Sequence, residues 1–220
     1  MALHPFLAKI GFYLRNMDAI ATKMNAPVIS AENNTKSPFE ILVYTMLSSR
    51  TRDENTIMAT KKFFKIAKTP KDVCKLSINK ITAMIRPVGF YRTKAKTLKK
   101  MCNMINEKYN GKIPSDVKEL MRLPGVGLKT ANIVMARAFN KDVIGVDTHV
   151  HRISNRLGIV STKTPEKTSE ILNEIVPKRY RRKFNRIFVG FGQVICLPVR
   201  PRCDLCPINK ACYRIGVQEK

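Results

Sequence analysis

Apolar residues in this chain recur three and four positions apart, and helix-starting residues stand in front of them. Ser37-Pro38-x-Glu40 forms a capping box with proline at the first helical position, ahead of Ile41, Leu42, Tyr44 and Met46. A polar break follows from Ser48 to Asp53. There Thr51-x-x-Glu54 offers a second capping box before Ile57, Met58, Phe63, Phe64 and Ile66, and this helix is expected to end near Lys68-Thr69-Pro70. Shorter helices fit 71–77 and 78–86, with a turn at Pro87-Val88-Gly89. The segment from Thr93 to Lys108 reads as a basic amphipathic helix with Leu98, Met101, Cys102 and Ile105 on one face, closed by Asn110-Gly111. Ser115 or Asp116 caps the next helix, which carries Val117, Leu120 and Met121. No run alternates long enough to suggest a sheet, so the chain is expected to be all-α.

The chain has 220 residues, enough for one large domain or two small ones with a real core, and its 44% hydrophobic content is that of a globular protein. No stretch of about 18 apolar residues is present, so no membrane span is expected. Residues 1–31 lack a secretory pattern, which predicts an intracellular protein. The 41 Lys and Arg against 16 Asp and Glu give a net charge of +25, far beyond what solubility needs. That excess points to a polyanion, DNA or RNA before an anionic membrane; the alternative is a basic surface suited to a hot or salty habitat. The densest run is Lys178, Arg179, Arg181, Arg182, Lys183 and Arg186, with Tyr180 and Phe184 interleaved. It reads either as a solvated helix face or as a phosphate-contacting one.

Of six cysteines, Cys74 and Cys102 stand alone in helical patterns and read as buried thiols. The other four, Cys196, Cys203, Cys206 and Cys212, crowd the tail with spacing C-x6-C-x2-C-x5-C. Inside a cell such a cluster favours a metal over disulfides. Zinc and an iron–sulfur cluster both take four thiolates, and the spacing alone leaves both open.

Leu123-Pro124-Gly125-Val126-Gly127 lies between one helix ending near Arg122 and another beginning near Leu128. The two glycines allow a tight turn with positive φ and nothing projecting outward, so that amides at the start of the next helix can meet a phosphate oxygen. This is the logic of a helix–hairpin–helix grip on a nucleic-acid backbone. Lys129 follows in the first helical turn, where the helix's partial positive charge disfavours an ammonium and favours the free amine that a nucleophile needs. The plainer reading gives Lys129 a phosphate contact only. Asp147 precedes the helical stripe Val150, Ile153, Leu157 and sits where an N-cap would. It could cap alone, or deprotonate a nucleophile and steady a sugar cation. His149 and His151 do not share a helix face, which argues against a metal pair.

These segments together resemble the endonuclease III family, helix–hairpin–helix DNA glycosylases with a Gly/Pro-rich loop and an aspartate. The matching residues are Leu123 to Val134, Val146 to Val150 with Arg152, Asn155 and Arg156, and the four-cysteine tail. Gly89-Phe90-Tyr91 with Lys94 and Ala95, and Leu47-Ser48-Ser49 with Asp53, match more loosely, and the resemblance runs over about residues 35–215. It implies two helical domains: a six-helix domain over 31–141 carrying the hairpin, and a second built from 1–30 with 142–220. The second would hold a [4Fe–4S] cluster on Cys196, Cys203, Cys206 and Cys212, structural or DNA-sensing and not hydrolytic. The active cleft would lie between the domains, Lys129 on one wall and Asp147 on the other.

The implied activity is that of a bifunctional DNA glycosylase and AP lyase of base excision repair. Its partner would be double-stranded DNA carrying damaged pyrimidines or abasic sites, and it would work as a monomer in the cytoplasm or nucleoid. The nucleotide is flipped out, Lys129 attacks C1′ and releases the base, and the Schiff base permits β-elimination, with Asp147 assisting. Gly125, Val126, Gly127 and Thr130 would contact DNA, together with Ser49 and Arg50. The family commonly has glutamine where this chain has Arg50, the residue that wedges into the gap left by the flipped base. Relatives acting on mismatches usually carry serine or tyrosine at position 129, so Lys129 favours the lyase. The alternatives are a mismatch glycosylase without lyase activity and a non-catalytic DNA-binding module.

Overall fold

The computed structural model describes residues 4–33 and 35–217; residues 1–3 and 218–220, part of the expected second domain, and residue 34 lie outside the described residues. Within the described residues the chain is helical with no strand. The helices run α1 (Pro5–Ala8), α2 (Ile10–Lys23), α3 (Pro27–Asn33), α4 (Pro38–Ser48), α5 (Asp53–Phe64), α6 (Pro70–Lys75), α7 (Ile78–Met84), α8 (Tyr91–Tyr109), α9 (Val117–Arg122), α10 (Leu128–Ala138), α11 (Thr148–Leu157), α12 (Pro165–Ile175) and α13 (Lys178–Val194). A short 3-10 turn, Asn209–Ala211, lies in the cysteine tail. Backbone packing separates two compact units, one of residues 30–141 and one of residues 1–29 with 142–220.

In the unit of residues 30–141, α4 is the hub. Eight of its residues, Phe39 and Ile41 through Leu47, are buried, so it is apolar all round, as a helix surrounded by others must be. Ser37 and Glu40 close the expected capping box at its start. α10 lies against α4, and α8 carries α6 and α7 on its flank. The side chain of Lys99 on α8 reaches the end of α6 and donates to the carbonyls of Val73, Cys74 and Leu76, groups that a helix end leaves without internal partners. The capping box expected at Thr51 does not form. α5 starts at Asp53 with Arg52 as an uncapped N-cap residue, because the Thr51 hydroxyl is engaged elsewhere. α5 also ends earlier than expected, at Phe64.

The other unit is built on α2 and α13. Gly190 brings them close: a Cβ there would lie 3.1 Å from Ala21 and 3.2 Å from Val28. Phe184 and Phe188 stack with ring centroids 4.0 Å apart, and Phe6 meets Phe188 edge-on at 6.1 Å. The basic run on α13 divides its labour. Arg186 pairs with Asp18 on α2 at 2.6 Å, Arg182 with Asp142 at 3.2 Å, and Arg181 donates to the Val176 carbonyl at the end of α12. Lys178, Arg179 and Lys183 remain exposed. Of the lone cysteines, Cys102 is buried as expected, whereas Cys74 is half-buried and accepts a hydrogen bond from Asn106.

Truncating Phe188 removes a fully buried ring from this stack, so Phe188→Ala should cost about 3–5 kcal/mol of stability, read by chemical denaturation.

Candidate active site

The turn between α9 and α10 is fixed by three features. Asp116 caps α9 by accepting from the amides of Lys118 and Glu119. The Val126 amide donates to the Leu123 carbonyl at 3.1 Å, and the Val126 side chain, 7% exposed, turns into the core. Gly125 has φ of +80°, and a Cβ there would sit 2.6 Å from Cγ2 of Thr97, so glycine is required twice over. Gly127 differs from expectation. Its φ is −98°, and a Cβ would meet nothing within 4 Å. Positive φ therefore belongs to Gly125 alone, and Gly127 serves by leaving open space before α10. The Val126 side chain anchors the turn and presents little surface.

α10 begins at Leu128 with no side-chain cap on its N-terminus. Lys129 occupies its first turn and is half-buried, while the Thr130 side chain is only 8% exposed, which leaves the backbone as that residue's main outward feature. A second lysine stands near. Lys94 on α8 has its pKa brought down to about 8, first by burial and then by the positive charge of Lys129.

The loop from Leu47 to Thr51 forms another part of the same unit. Lys94 Nζ donates to the carbonyls of Leu47 (2.7 Å) and Ser49 (2.5 Å) and to Oγ1 of Thr51 (3.1 Å). Thr51 also accepts from the Gly89 amide at 3.1 Å. Gly89 has to be glycine for space, since a Cβ would lie 2.5 Å from the Arg50 carbonyl oxygen. Arg50 and Phe90 both hold left-handed backbone, with φ of 51° and 57°. Their side chains are exposed, and the Arg50 guanidinium lies 5.9 Å from the centre of the Phe90 ring. Phe90 is thus 63% exposed, in strained backbone, beside an arginine. The sequence offered only the Gly89-Phe90-Tyr91 motif for it.

Asp147, in the other unit, is the N-cap of α11. Its Oδ1 accepts from the amides of His149 and Val150, both at 2.9 Å. One oxygen therefore caps, as one sequence reading has it, and Oδ2 has no hydrogen-bond partner among the described residues. His149 contacts Arg152, and His151 contacts Thr168, so the two histidines diverge as expected.

Cys196, Cys203, Cys206 and Cys212 line one open pocket of about 30 Å³, together with Ile153, Leu157, Phe191 and Ile195. Burial pushes the Cys206 thiol up to about 11, with repulsion from the other three sulfurs adding to it. Cys212 moves in the same direction for the same first cause. Arg156, 9% exposed, ties this loop to α11. It donates to Cys196 Sγ at 3.5 Å and to the carbonyls of Leu197 and Pro198 at 2.6 and 2.7 Å. Arg152 adds a bond to the Cys196 carbonyl at 2.7 Å, and burial lowers its pKa. Among the described residues, no three cysteine, histidine or carboxylate side chains converge closely enough for a single metal ion.

The model of HhH-GPD superfamily base excision DNA repair proteins matches residues 43–178. Endonuclease III of Thermotoga maritima is 45% identical over 175 residues, which are 80% of this chain and 82% of that protein. The chain belongs to the endonuclease III family. A solved non-covalent complex of endonuclease III with DNA superposes with a TM-score of 0.83 at 33% identity, covering 97% of both chains. A trapped covalent intermediate of endonuclease III with DNA matches with the same TM-score, identity and coverage. The family match spans the hairpin turn, Lys129 and Asp147, whereas the cysteine tail lies beyond its last residue. No helix of the described residues is long and apolar enough to cross a membrane.

The two glycines of the turn should respond differently to the same substitution. Gly125→Ala forces a methyl group into Thr97 at positive φ and should lower stability by about 1–3 kcal/mol. Gly127→Ala meets open space and should leave the thermal midpoint within about a degree or two of the parent. Differential scanning calorimetry of the pair checks both.

Proposed function

We propose that this chain is a bifunctional DNA glycosylase and AP lyase of base excision repair, removing oxidised pyrimidines from duplex DNA, with Lys129 as nucleophile. The observation that carries the reading is the half-buried Lys129 in the first turn of an uncapped helix, directly after the glycine turn. A phosphate contact alone calls for an outward, solvated ammonium, whereas this amine is half-buried.

The chemistry then runs as follows. The lesion nucleotide leaves the stack. The Lys129 amine attacks C1′, the bond from C1′ to the base breaks, and the base departs with its electron pair and takes up a proton. Loss of the amine proton and opening of the sugar ring give a Schiff base between Lys129 and C1′. Removal of a proton from C2′ expels the 3′ phosphate, and water releases the lysine. Asp147 assists by accepting a proton and by stabilising positive charge on the sugar, with the oxygen that does not cap α11. The amides at the start of α10, with Gly125, Gly127 and Thr130, hold backbone phosphate. Arg50, supported by Ser49, fills the gap left by the flipped base, and Phe90 stands beside it. Residues 30–141 and the remainder of the chain form the two domains of this enzyme, which works as a monomer inside the cell, with the DNA it acts on.

For the cysteine tail we propose a [4Fe–4S] cluster held by Cys196, Cys203, Cys206 and Cys212. Four thiols that line one pocket suit a body that takes one thiolate on each iron. The apolar wall of the pocket and the N–H donor from Arg156 to Cys196 suit its sulfur-rich surface. Bound there, the cluster would cross-link the tail to itself just after α13 and supply no hydrolytic chemistry.

Borohydride should trap a covalent complex between the protein and a duplex carrying thymine glycol or an abasic site. Lys129→Ala should abolish it, and trapping that persists would reject the nucleophile. Asp147→Asn keeps an N-cap and loses the charge. Its excision rate should drop by about 100-fold or more, while its thermal midpoint stays near that of the parent. Gly127→Ala should weaken DNA binding in a filter or anisotropy assay without loss of fold. For the tail, the purified protein should be brown, with about four irons per chain by elemental analysis. Cys203→Ser should lose iron and absorbance together, and a colourless zinc protein with full activity would remove the cluster.

A further inference from the structure

Lys94 lies outside every role given above, yet it is the residue on which the surface of Arg50 and Phe90 is built. Its ammonium makes three hydrogen bonds, all to the segment Leu47–Thr51 that carries Arg50. One of its acceptors, the Thr51 hydroxyl, also takes the amide of Gly89, next to Phe90. Gly89 in turn lies against the Arg50 carbonyl so closely that no side chain fits between them. Two loops that are 40 residues apart in the chain thus meet on one amine.

The backbone explains why a clamp is needed. Arg50 and Phe90 both have positive φ, which costs a non-glycine residue about 1 kcal/mol or more and persists only where the surroundings impose it. No capping side chain secures the helix start on either side, at Arg52 for α5 or at Phe90 for α8. The clamp comes instead from α8, a helix of 19 residues anchored by buried Ala95, Leu98, Met101, Cys102 and Ile105. Lys94 therefore transfers the rigidity of that helix to an otherwise strained pair of loops.

We propose that Lys94 is a positioning residue that sets the stance of the Arg50–Phe90 pair, and through it the enzyme's discrimination among bases opposite the lesion. This rests on the reading of Arg50 as the residue that fills the flipped-out gap. The clamp acts on the partner strand's orphan base and not on the bond being broken. Its loss is felt only where there is an orphan base to support.

The test compares single-turnover excision of thymine glycol in two settings: opposite each of the four bases, and opposite a tetrahydrofuran abasic analogue that leaves no base to hold. Lys94→Met should slow excision by about ten-fold or more in the paired duplexes, with an altered ranking of the four opposite bases. Opposite tetrahydrofuran it should remain within about three-fold of the parent. Arg50→Ala should also slow excision in the paired duplexes and alter the ranking of opposite bases, and in those duplexes the double variant should be no slower than the slower single one, as expected for two residues acting as one device. Thr51→Val, which keeps the two carbonyl bonds of Lys94 and removes the link to Gly89, should give a milder form of the pattern and serves if Lys94→Met does not fold. Equal losses in the two settings would assign Lys94 to the chemistry at Lys129 or to general stability and overturn the proposal. So would multiplicative losses in the double variant, or no loss in paired duplexes. A neutral Arg50→Ala would sink the gap-filling reading itself, whereas a slow Arg50→Ala beside a neutral Lys94→Met would sink only the clamp.

Discussion

A helix leaves its first backbone N–H groups without partners inside the helix, and in a fold made only of short helices these ends are everywhere. This chain satisfies many of them with its own side chains: Ser37, Thr69, Ser77, Asp116, Asp147 and Thr164 each accept from the first turn that follows. The helices that begin without such a cap include α5, α8 and α10. They begin beside Arg50, at Phe90 and beside Lys129, the three side chains assigned to handle a displaced nucleotide and its partner. An end that a side chain has closed is finished structurally, and an end left open keeps its amides for something else. Asp147 is the mixed case, because one carboxylate oxygen completes a helix while the other has no partner among the described residues.

Such a division explains why some of this fold was legible in the sequence and some was not. Ser37-Pro38-x-Glu40 and Asp147 were readable because a cap and the helix it starts are neighbours in the chain. The Leu123–Gly127 turn was readable for the same reason, although the sequence does not tell which glycine bears positive φ. Nor does it tell that Thr97 on α8 occupies the space a Cβ at residue 125 would need. Thr51 shows the reverse. Its spacing to Glu54 satisfies the local rule for a capping box, but Lys94 and Gly89 compete for the hydroxyl and win. A hydroxyl with two long-range partners gains more than one with a single local amide, and no pattern within the segment reports that.

The tail shows a similar limit from the other side. Spacing identified the four cysteines but not what holds them facing one pocket. Arg156 supplies that, with donors to Cys196 and to the two carbonyls that follow it, and Arg152 adds the carbonyl of Cys196 itself. Both arginines belong to α11, the helix that Asp147 caps. One helix thus carries the carboxylate at its start and the tether of the cysteine loop along its length. A change in how the loop is filled would be felt along α11, and the proposed cluster need take no chemical part in the reaction to matter to it.

The same accounting alters the meaning of the net charge. A surplus of +25 suggests an enormous anionic footprint, yet several of its cations are already committed inside the protein. Lys94 and Lys99 serve carbonyls on neighbouring segments, Arg152 and Arg156 serve the tail, and Arg181 and Arg186 serve α12 and Asp18. Each of these positive charges raises the potential around the molecule and so helps to draw DNA in. None of them is free to replace a condensed counterion at a phosphate, which is the process that makes affinity depend on salt. Steering and grip therefore draw on different subsets of the basic residues. The steepness of the salt dependence reports the exposed subset, among it Lys178, Arg179 and Lys183, while the association rate reports the whole.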